Sequence, residues 1–325
     1  MNTNDRTVAV AAALKAGAIL EDRTDATGHL TVRGADAESF LQGVLSQDVK
    51  GLAPGRHALS FLLTPKGAIV AILRVLRLSA GDFLASADAP AAAKAVATLL
   101  RYVVSEDVSV RDASADFAML ALRGARALDI ADAVHAGTGG LVEAGRFISS
   151  GDTFAIRSGE PGLDGVDLLV PRARAAEAKA ALAARGALAI GADVAQGLRV
   201  EAGIPRCGKD LEETSLGPES RLEAMAVSYT KGCFVGQETI ARLKTYGQVN
   251  RLLVGLTFEG EPAKEGDAIV VDGKDVGRVT TVAAPAPRLG RPAALALLRR
   301  EHVAPGTRVV AGSAPAVVAS LPLVV

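Results

Sequence analysis

A cysteine within a polar, glycine-flanked octapeptide is the clearest candidate for chemistry in this chain. Residues 231–238 are Lys-Gly-Cys-Phe-Val-Gly-Gln-Glu, and Cys233 is one of only two cysteines. A neighbouring cation, Lys231, and a short helix predicted to begin near Gln237 would both favour the thiolate. We therefore predict a functional thiol at Cys233, with the alternative that Cys233 is a small buried hydrophobic residue.

The charge balance and the cysteine count exclude several classes of function. Lys plus Arg equals Asp plus Glu at 36 each, and no basic stripe with interleaved aromatic residues is present, so we expect no direct binding of nucleic acid. The two cysteines do not complete a zinc or iron–sulfur site, and the four histidines lack metal-ligand spacing, so no metal site is predicted. Free cysteines favour a cytoplasmic location. Lys15 interrupts the apolar run near the N-terminus, so we expect no secretion signal and no membrane segment.

The hydrophobic pattern predicts strands and helices without strict alternation, which is typical of an α+β fold. Asp36 is a candidate N-cap for a helix in which Phe40, Leu41, Val44 and Leu45 share one apolar face. Further helices are predicted over residues 8–20, 88–103 and 171–186, and strands over residues 28–32, 68–78, 117–122 and 166–170.

From Arg251 onward the pattern changes to short strands separated by turns, which predicts a small antiparallel β-barrel. Asp272-Gly273 is a hairpin turn signal within it. We predict two intertwined α+β subdomains over residues 1–245, the second over roughly residues 51–140, and the barrel over residues 246–325. The barrel strands are predicted over residues 252–258, 268–271, 276–282, 293–298 and 307–310.

Several segments resemble known proteins. The octapeptide resembles the signature of the YgfZ family of folate-binding proteins, which is similar in sequence and fold to the T-protein (aminomethyltransferase) of the glycine cleavage system. The resemblance implies two α+β pieces around a central channel where folate lies, followed by a small antiparallel β-barrel. The other segments that carry it are residues 40–43 with 47–49, residues 197–205 with 208–210, and residues 277–280 with 289–292.

The resemblance implies that tetrahydrofolate or a derivative binds beside Asp167, which falls where the T-protein group carries a Glu. Asp167 lies inside an apolar strand, where a buried carboxylate is costly without a partner. A pterin presents a paired N–H edge that a carboxylate accepts bidentately, and a salt bridge to a neighbour such as Arg199 is the alternative. Arg199 and Glu201 either contact the ligand or form internal ion pairs, and Tyr102 either lines the ligand site or packs in the core.

One departure from the T-protein pattern concerns the strand that begins near Ala68. The resemblance implies an Asp-Asp pair there, whose first member acts beside the folate nitrogen that receives the one-carbon unit. Those positions are Ala71 and Ile72 in this chain. Because a site without a carboxylate loses its general acid or base, we expect no classical aminomethyltransferase activity, such as transfer from a lipoylated carrier protein.

These observations lead to one expected function and two alternatives. We expect a cytoplasmic folate-binding protein that supports iron–sulfur cluster assembly or repair. Its partners would be iron–sulfur client or assembly proteins, the clients including tRNA methylthiotransferases. The first alternative is a folate-dependent aminomethyltransferase of the T-protein class. The second is a binding module whose barrel docks a partner, with folate serving only the structure.

Overall fold

The computed structural model describes residues 3–159 and 162–324. Within these residues the helices are α1 (Thr3–Ala16), α2 (Ala37–Val44), α3 (Ala89–Tyr102), α4 (Ala127–Ala131), α5 (Ala175–Ala184), α6 (Ala192–Ala202), α7 (Glu223–Ala226) and α8 (Gln237–Tyr246). The strands of the α+β region are β1 (Ala18–Asp22), β2 (Thr27–Arg33), β3 (Arg56–Leu63), β4 (Ile69–Ser79), β5 (Asp82–Asp88), β6 (Ser109–Asp112), β7 (Phe117–Arg123), β8 (Phe147–Ser150), β9 (Thr153–Arg157), β10 (Gly165–Pro171) and β11 (Ala187–Ala189). The strands of the C-terminal region are β12 (Arg251–Thr257), β13 (Ala268–Val271), β14 (Lys274–Ala283), β15 (Ala293–Arg299), β16 (Arg308–Ala311) and β17 (Ala314–Ala319).

The helix predicted after Asp36 is present as α2, and its Phe40, Leu41 and Val44 are buried. Asp36 occupies the N-cap position, but its carboxylate accepts the backbone N–H of Asp107 instead of capping the helix. The first helix begins and ends earlier than predicted: α1 ends at Ala16, and residues 18–22 form β1, which pairs with both β7 and β11.

Two sheets pack face to face in the α+β region. The six-stranded sheet has the order β11-β1-β7-β10-β9-β8, and the five-stranded sheet has the order β3-β4-β5-β2-β6. Leu76 and Leu84 of the five-stranded sheet pack against Met119, Phe154 and Leu169 of the six-stranded sheet. Because side chains alternate along a strand, the opposite faces of the two sheets are free to pack against helices. Helices α2 and α3 cover the outer face of the five-stranded sheet, and α4 and α5 cover that of the six-stranded sheet.

The C-terminal strands close into a barrel in the order β12-β15-β14-β13-β16-β17, with antiparallel pairing throughout. Asp272 and Gly273 both have positive φ, at 50° and 73°, as the predicted two-residue hairpin requires. The α+β class and the C-terminal antiparallel barrel are therefore confirmed. No helix in the described ranges is long and apolar enough to cross a membrane.

Candidate ligand-binding site

A cavity of about 450 Å³ lies between the two sheets of the α+β region. Its volume is within the range that small-molecule sites occupy. Apolar side chains form much of its wall, and a few polar groups converge on it. Those apolar side chains include Leu59, Ile72, Met119, Leu222 and Met225, and the polar ones include His57, Arg74, Ser86, Asp88 and Asp167.

Asp167 lines this cavity because successive side chains along β10 point to opposite faces of the sheet. Its neighbours Val166 and Leu168 face the helices outside the sheet, so Asp167 faces the space between the sheets. Its carboxylate forms ion pairs with Arg74 of the opposite sheet and with Arg123 of β7, the latter at 2.7 Å between Oδ1 and Nη2. These arginines, and not Arg199, are its partners.

The two arginines determine the charge of Asp167. Burial alone would raise the pKa of this carboxyl, which is 1% exposed, but Arg123 and Arg74 outweigh burial and hold the pKa well below its usual value. The carboxylate is therefore ionised across the neutral range. A carboxylate has about four lone-pair sites, so two ion pairs leave acceptor capacity toward the cavity.

The side chains of two histidines at or behind the cavity wall, His57 and His29, are neutral. His57 donates from Nε2 to the carbonyl oxygen of Arg157 at 2.9 Å, and burial, assisted by Arg74, lowers its pKa to about 4. His29 is buried behind the cavity wall, with Nδ1 at 2.9 Å from the hydroxyl of Ser86. Burial lowers its pKa to about 4 as well. The cavity wall therefore combines an ionised carboxylate and its partner Arg74 with the neutral imidazole of His57.

The two positions that depart from the T-protein pattern face opposite sides of β4. Ala71 is fully buried in the core beneath α2 and α3, whereas Ile72 lines the cavity. Of the two positions, only that of Ile72 would therefore place a carboxylate in the cavity.

Asp88 also lines the cavity, although its sequence context predicts only the start of a helix. An Asp directly before Ala-Pro is typical of a helix N-cap, so the local sequence gives no indication that its side chain lies at a ligand site. Its position at the end of β5, which pairs with the strand that carries Ile72, places it at the cavity.

Arg199 does not line the cavity and belongs to an internal network between α6 and the barrel. Its guanidinium donates to the Asp210 carboxylate at 2.6 Å, to the Ile204 carbonyl oxygen at 2.7 Å and to the Thr281 hydroxyl at 2.9 Å. Asp210 also accepts the hydroxyls of Thr280 and Thr281, at 2.7 and 2.6 Å. Arg199 therefore forms an internal ion pair, as in the alternative, with Asp210 as its partner, and the structure does not place it at the cavity where folate contact was expected.

Glu201, two residues after Arg199 in α6, has a similar structural role. It is fully buried, and its Oε1 accepts the backbone N–H groups of Arg288 and Leu289 at 2.6 and 2.8 Å. Burial raises its pKa, and these N–H groups oppose the rise. Glu201 therefore holds a barrel loop against α6, and its assignment to the folate site is corrected for the same reason.

Tyr102 at the end of α3 packs against the core beneath the five-stranded sheet, so its assignment as a folate contact is also corrected. The helix that carries it lies on the outer face of that sheet, opposite the cavity.

Lys231 binds the backbone at the end of α2, and its hydrogen bonds go there instead of to the cysteine. Its ammonium donates to the carbonyl oxygens of Gln42, Leu45 and Gln47, at 2.6, 2.6 and 2.9 Å. An ammonium has three donors, so none is left for the sulfur of Cys233. A cation at the C-terminal end of a helix is also favoured by the helix dipole.

Cys233 is exposed and lies in the loop before α8, so it is not a buried hydrophobic residue. The loop is held by its neighbours. Phe234 is buried in the core that includes Phe61 and Ile240. Gly236 has φ of 82°, and a Cβ there would lie 2.7 Å from the carbonyl oxygen of Thr64. The glycine is therefore required by both backbone conformation and contact.

Models of known protein families match nearly the whole chain. Residues 5–231 match the model of the GCVT N-terminal domain, and residues 251–324 match the glycine cleavage T-protein C-terminal barrel domain. An aminomethyltransferase of Streptomyces avermitilis is 32% identical over 298 residues, covering 86% of this chain and 78% of the relative. An aminomethyltransferase of Herpetosiphon aurantiacus is 31% identical over 286 residues, with the same coverage.

A solved structure shows the same arrangement. The glycine cleavage system aminomethyltransferase T of Bartonella henselae superposes with a TM-score of 0.88 at 25% sequence identity, covering 98% of this chain and 89% of the other. The predicted aminomethyltransferase-like fold is thus confirmed.

These matches overturn the expected function. The relatives are named aminomethyltransferases, and the matched domains belong to the wider T-protein superfamily and not to the YgfZ family specifically. The expectation of a protein that supports iron–sulfur cluster assembly, with iron–sulfur clients as partners, was therefore wrong. The comparisons favour the aminomethyltransferase alternative.

Proposed function

Because the chain belongs to the glycine cleavage T-protein family, we propose that it is a tetrahydrofolate-dependent aminomethyltransferase. The observation that carries the proposal is the cavity between the two sheets, with an ionised carboxylate in its wall and apolar side chains around it. The names of the relatives support the reaction class.

Asp167 is the residue that we assign to the pterin ring. A pterin edge carries neighbouring N–H donors, and an ionised carboxylate is the acceptor that suits them. Arg74 and Arg123 hold Asp167 ionised and fix its position from two directions. The carboxylate is therefore ready to accept hydrogen bonds without a change in protonation.

The remaining walls suit the faces of an aromatic ring system. Ile72 lies on the five-stranded sheet, Met119 lies on the six-stranded sheet, and Leu222 and Met225 lie around α7. Flat rings gain free energy when apolar side chains remove both faces from water, at about 25 cal/mol per Å² of apolar surface buried. Thioethers such as that of Met119 also contact aromatic rings favourably.

Bound tetrahydrofolate would supply the nitrogen that accepts the one-carbon unit. This chain would bind and orient it, keep water away from it and handle the proton that the nitrogen releases. The proton-handling group is not at position 72, where Ile72 is apolar, so it must be another side chain of the cavity.

A reconstituted assay tests the proposal. The purified protein is supplied with tetrahydrofolate and with a lipoylated carrier protein loaded with an aminomethyl group, and transfer to folate is followed by mass spectrometry. Transfer that depends on the protein supports the proposal. No transfer in the presence of demonstrated folate binding contradicts it.

A second candidate is a tetrahydrofolate-binding protein without transferase activity. The observation that favours it is the pair Ala71 and Ile72, which leaves β4 without a carboxylate. Both candidates bind tetrahydrofolate in the same cavity, and calorimetric titration with tetrahydrofolate tests this binding. The transfer assay distinguishes them, because only the aminomethyltransferase transfers the aminomethyl group.

A further inference from the structure

Asp88 and Ile72 lie on neighbouring strands, and both line the cavity. Arg74 of β4 pairs with Ser86 of β5 at the end of this antiparallel register, and Ile72 and Asp88 each lie two residues beyond that pair on their own strands. All four residues line the cavity. A carboxylate therefore lies one strand away from the apolar Ile72.

The Asp88 side chain is not used to cap its helix. Asp88 is the N-cap residue of α3, yet its side chain makes no capping hydrogen bond. An N-cap Asp normally accepts an N–H from the first turn of the helix. Its Oδ1 instead lies 3.7 Å from Nε of Arg206, a separation longer than a hydrogen bond. The side chain is 25% exposed and remains available to a ligand in the cavity.

Asp88 is also the side chain best suited to exchange a proton among the described titratable residues of the cavity wall. Asp167 is held ionised by its arginines, and arginines remain protonated. His57 has a pKa of about 4 and already donates to the Arg157 carbonyl oxygen. Burial raises the pKa of Asp88, and Arg206 opposes the rise without cancelling it. A general acid or base is most effective when its pKa moves toward the working pH.

The charges around Asp88 are mixed. The guanidinium groups of Arg206, Arg23 and Arg199 favour the carboxylate, while burial and the carboxylate of Asp210 favour the acid. Burial is the largest of these influences, so the pKa of Asp88 is raised above its ordinary value, in the direction that suits a group that takes up and returns a proton.

We infer that Asp88 is the proton-transferring residue of the cavity, a role that rests on the proposed aminomethyl transfer. As the new nitrogen–carbon bond forms, the accepting nitrogen releases one proton to the Asp88 carboxylate. The bond between the carbon and the leaving atom of the donor breaks, and that atom keeps the electron pair. Asp88 then returns the proton to the leaving atom, so atoms and charge balance.

Calorimetry with tetrahydrofolate tests Asp88 independently of activity. Binding measured near pH 6 in two buffers of different ionisation enthalpy gives the number of protons taken up. A ligand that covers Asp88 removes it further from water and raises its pKa, so the wild-type protein takes up a fraction of a proton. Asp88→Asn and Asp88→Ser, both good N-cap residues, should lose this uptake. Uptake that persists in both variants overturns the inference.

Kinetics provide the second measurement. Asp88→Asn should lower kcat by about 100-fold or more, as expected for a lost general acid or base, and remove the acid limb of the pH–rate profile while tetrahydrofolate affinity changes little. Asp82→Asn, on the same strand and ion-paired with Arg33 outside the cavity, is the matched control and should keep wild-type kcat. Asp88→Asn combined with Ile72→Asp should recover part of kcat, because a carboxylate returns to the same wall.

The results of these experiments distinguish failure of the proposed transferase function from failure of the role inferred for Asp88. If the wild-type protein binds tetrahydrofolate but transfers nothing, the proposed function fails, and the calorimetric comparison still decides whether Asp88 exchanges a proton with the ligand site. If the wild-type protein is active and Asp88→Asn keeps its kcat while His57→Gln loses it, the function stands and the inference for Asp88 is overturned.

Discussion

Asp167 on β10 and Arg74 on β4 form an ion pair that joins the two sheets across the cavity. Arg123 completes the arrangement from β7, with Nη2 at 2.7 Å from Oδ1 of Asp167. One carboxylate thus has two roles: it neutralises guanidinium charge where the sheets meet, and it presents an acceptor to the cavity.

Asp167→Asn should weaken tetrahydrofolate binding by roughly 2 to 3 kcal/mol, the range for loss of a hydrogen bond to a charged group. The amide replaces one acceptor with a donor that opposes the N–H groups of the pterin. Isothermal titration calorimetry measures the change. Equal affinities of variant and wild-type protein would remove Asp167 from the ligand site.

A matched control for Asp167→Asn is Asp210→Asn, because Asp210 is an equally buried, arginine-paired carboxylate outside the cavity wall. It should lower the melting temperature and leave the Kd for tetrahydrofolate unchanged. A comparable loss of affinity in both variants would indicate general destabilisation instead of a contact with the ligand.

Arg199→Met should lower the free energy of unfolding by about 3 to 5 kcal/mol, because it leaves the buried Asp210 carboxylate without its partner. Urea denaturation measures this loss. The double variant Arg199→Met with Asp210→Leu should lose less than the single variant, since no buried charge remains unpaired. A double variant that is less stable than Arg199→Met would contradict this account of the network.

Asp88→Asn should be more stable than the wild-type protein at neutral pH. The pKa of Asp88 is raised above its unfolded value of about 4, so its contribution to stability is present below that pH and is lost as the pH rises through the folded pKa. The difference in unfolding free energy between variant and wild type should therefore grow from pH 4 to pH 7. Urea denaturation across this range measures it, and a difference that shrinks with rising pH would refute the assigned pKa direction.

Cys233 should react with a thiol reagent in the native protein, whereas Cys207 should react only after unfolding. Cys233 is exposed, while burial raises the pKa of the Cys207 thiol to about 12. Mass spectrometry after timed alkylation measures both rates. Cys233→Ala should change the free energy of unfolding by no more than about 0.5 kcal/mol, as at other surface positions. A large loss of stability would show that the Cys233 side chain supports the loop.

Local patterns in the sequence determined the elements and the fold class. Short strands separated by turns, with the Asp272-Gly273 hairpin signal among them, predict the C-terminal barrel, and the apolar spacing of Phe40, Leu41 and Val44 predicts α2. These features depend on contacts between residues close in sequence or on a short turn. The octapeptide and the other matched segments likewise indicated the T-protein superfamily, whereas the iron–sulfur function expected from them disagrees with the comparisons.

The tertiary structure alone decided which polar residues share a site. Alternation shows that Asp167 and its neighbours face opposite sides of β10, but only the packing of one sheet on the other brings Arg74 to it, 93 residues away along the chain. The same packing places Ile72 and Asp88 in the cavity, and the docking of the barrel on α6 assigns Arg199 and Glu201 to structural networks. The physical reason is that burial and ion pairing depend on contacts between distant strands, and local sequence patterns do not specify those contacts.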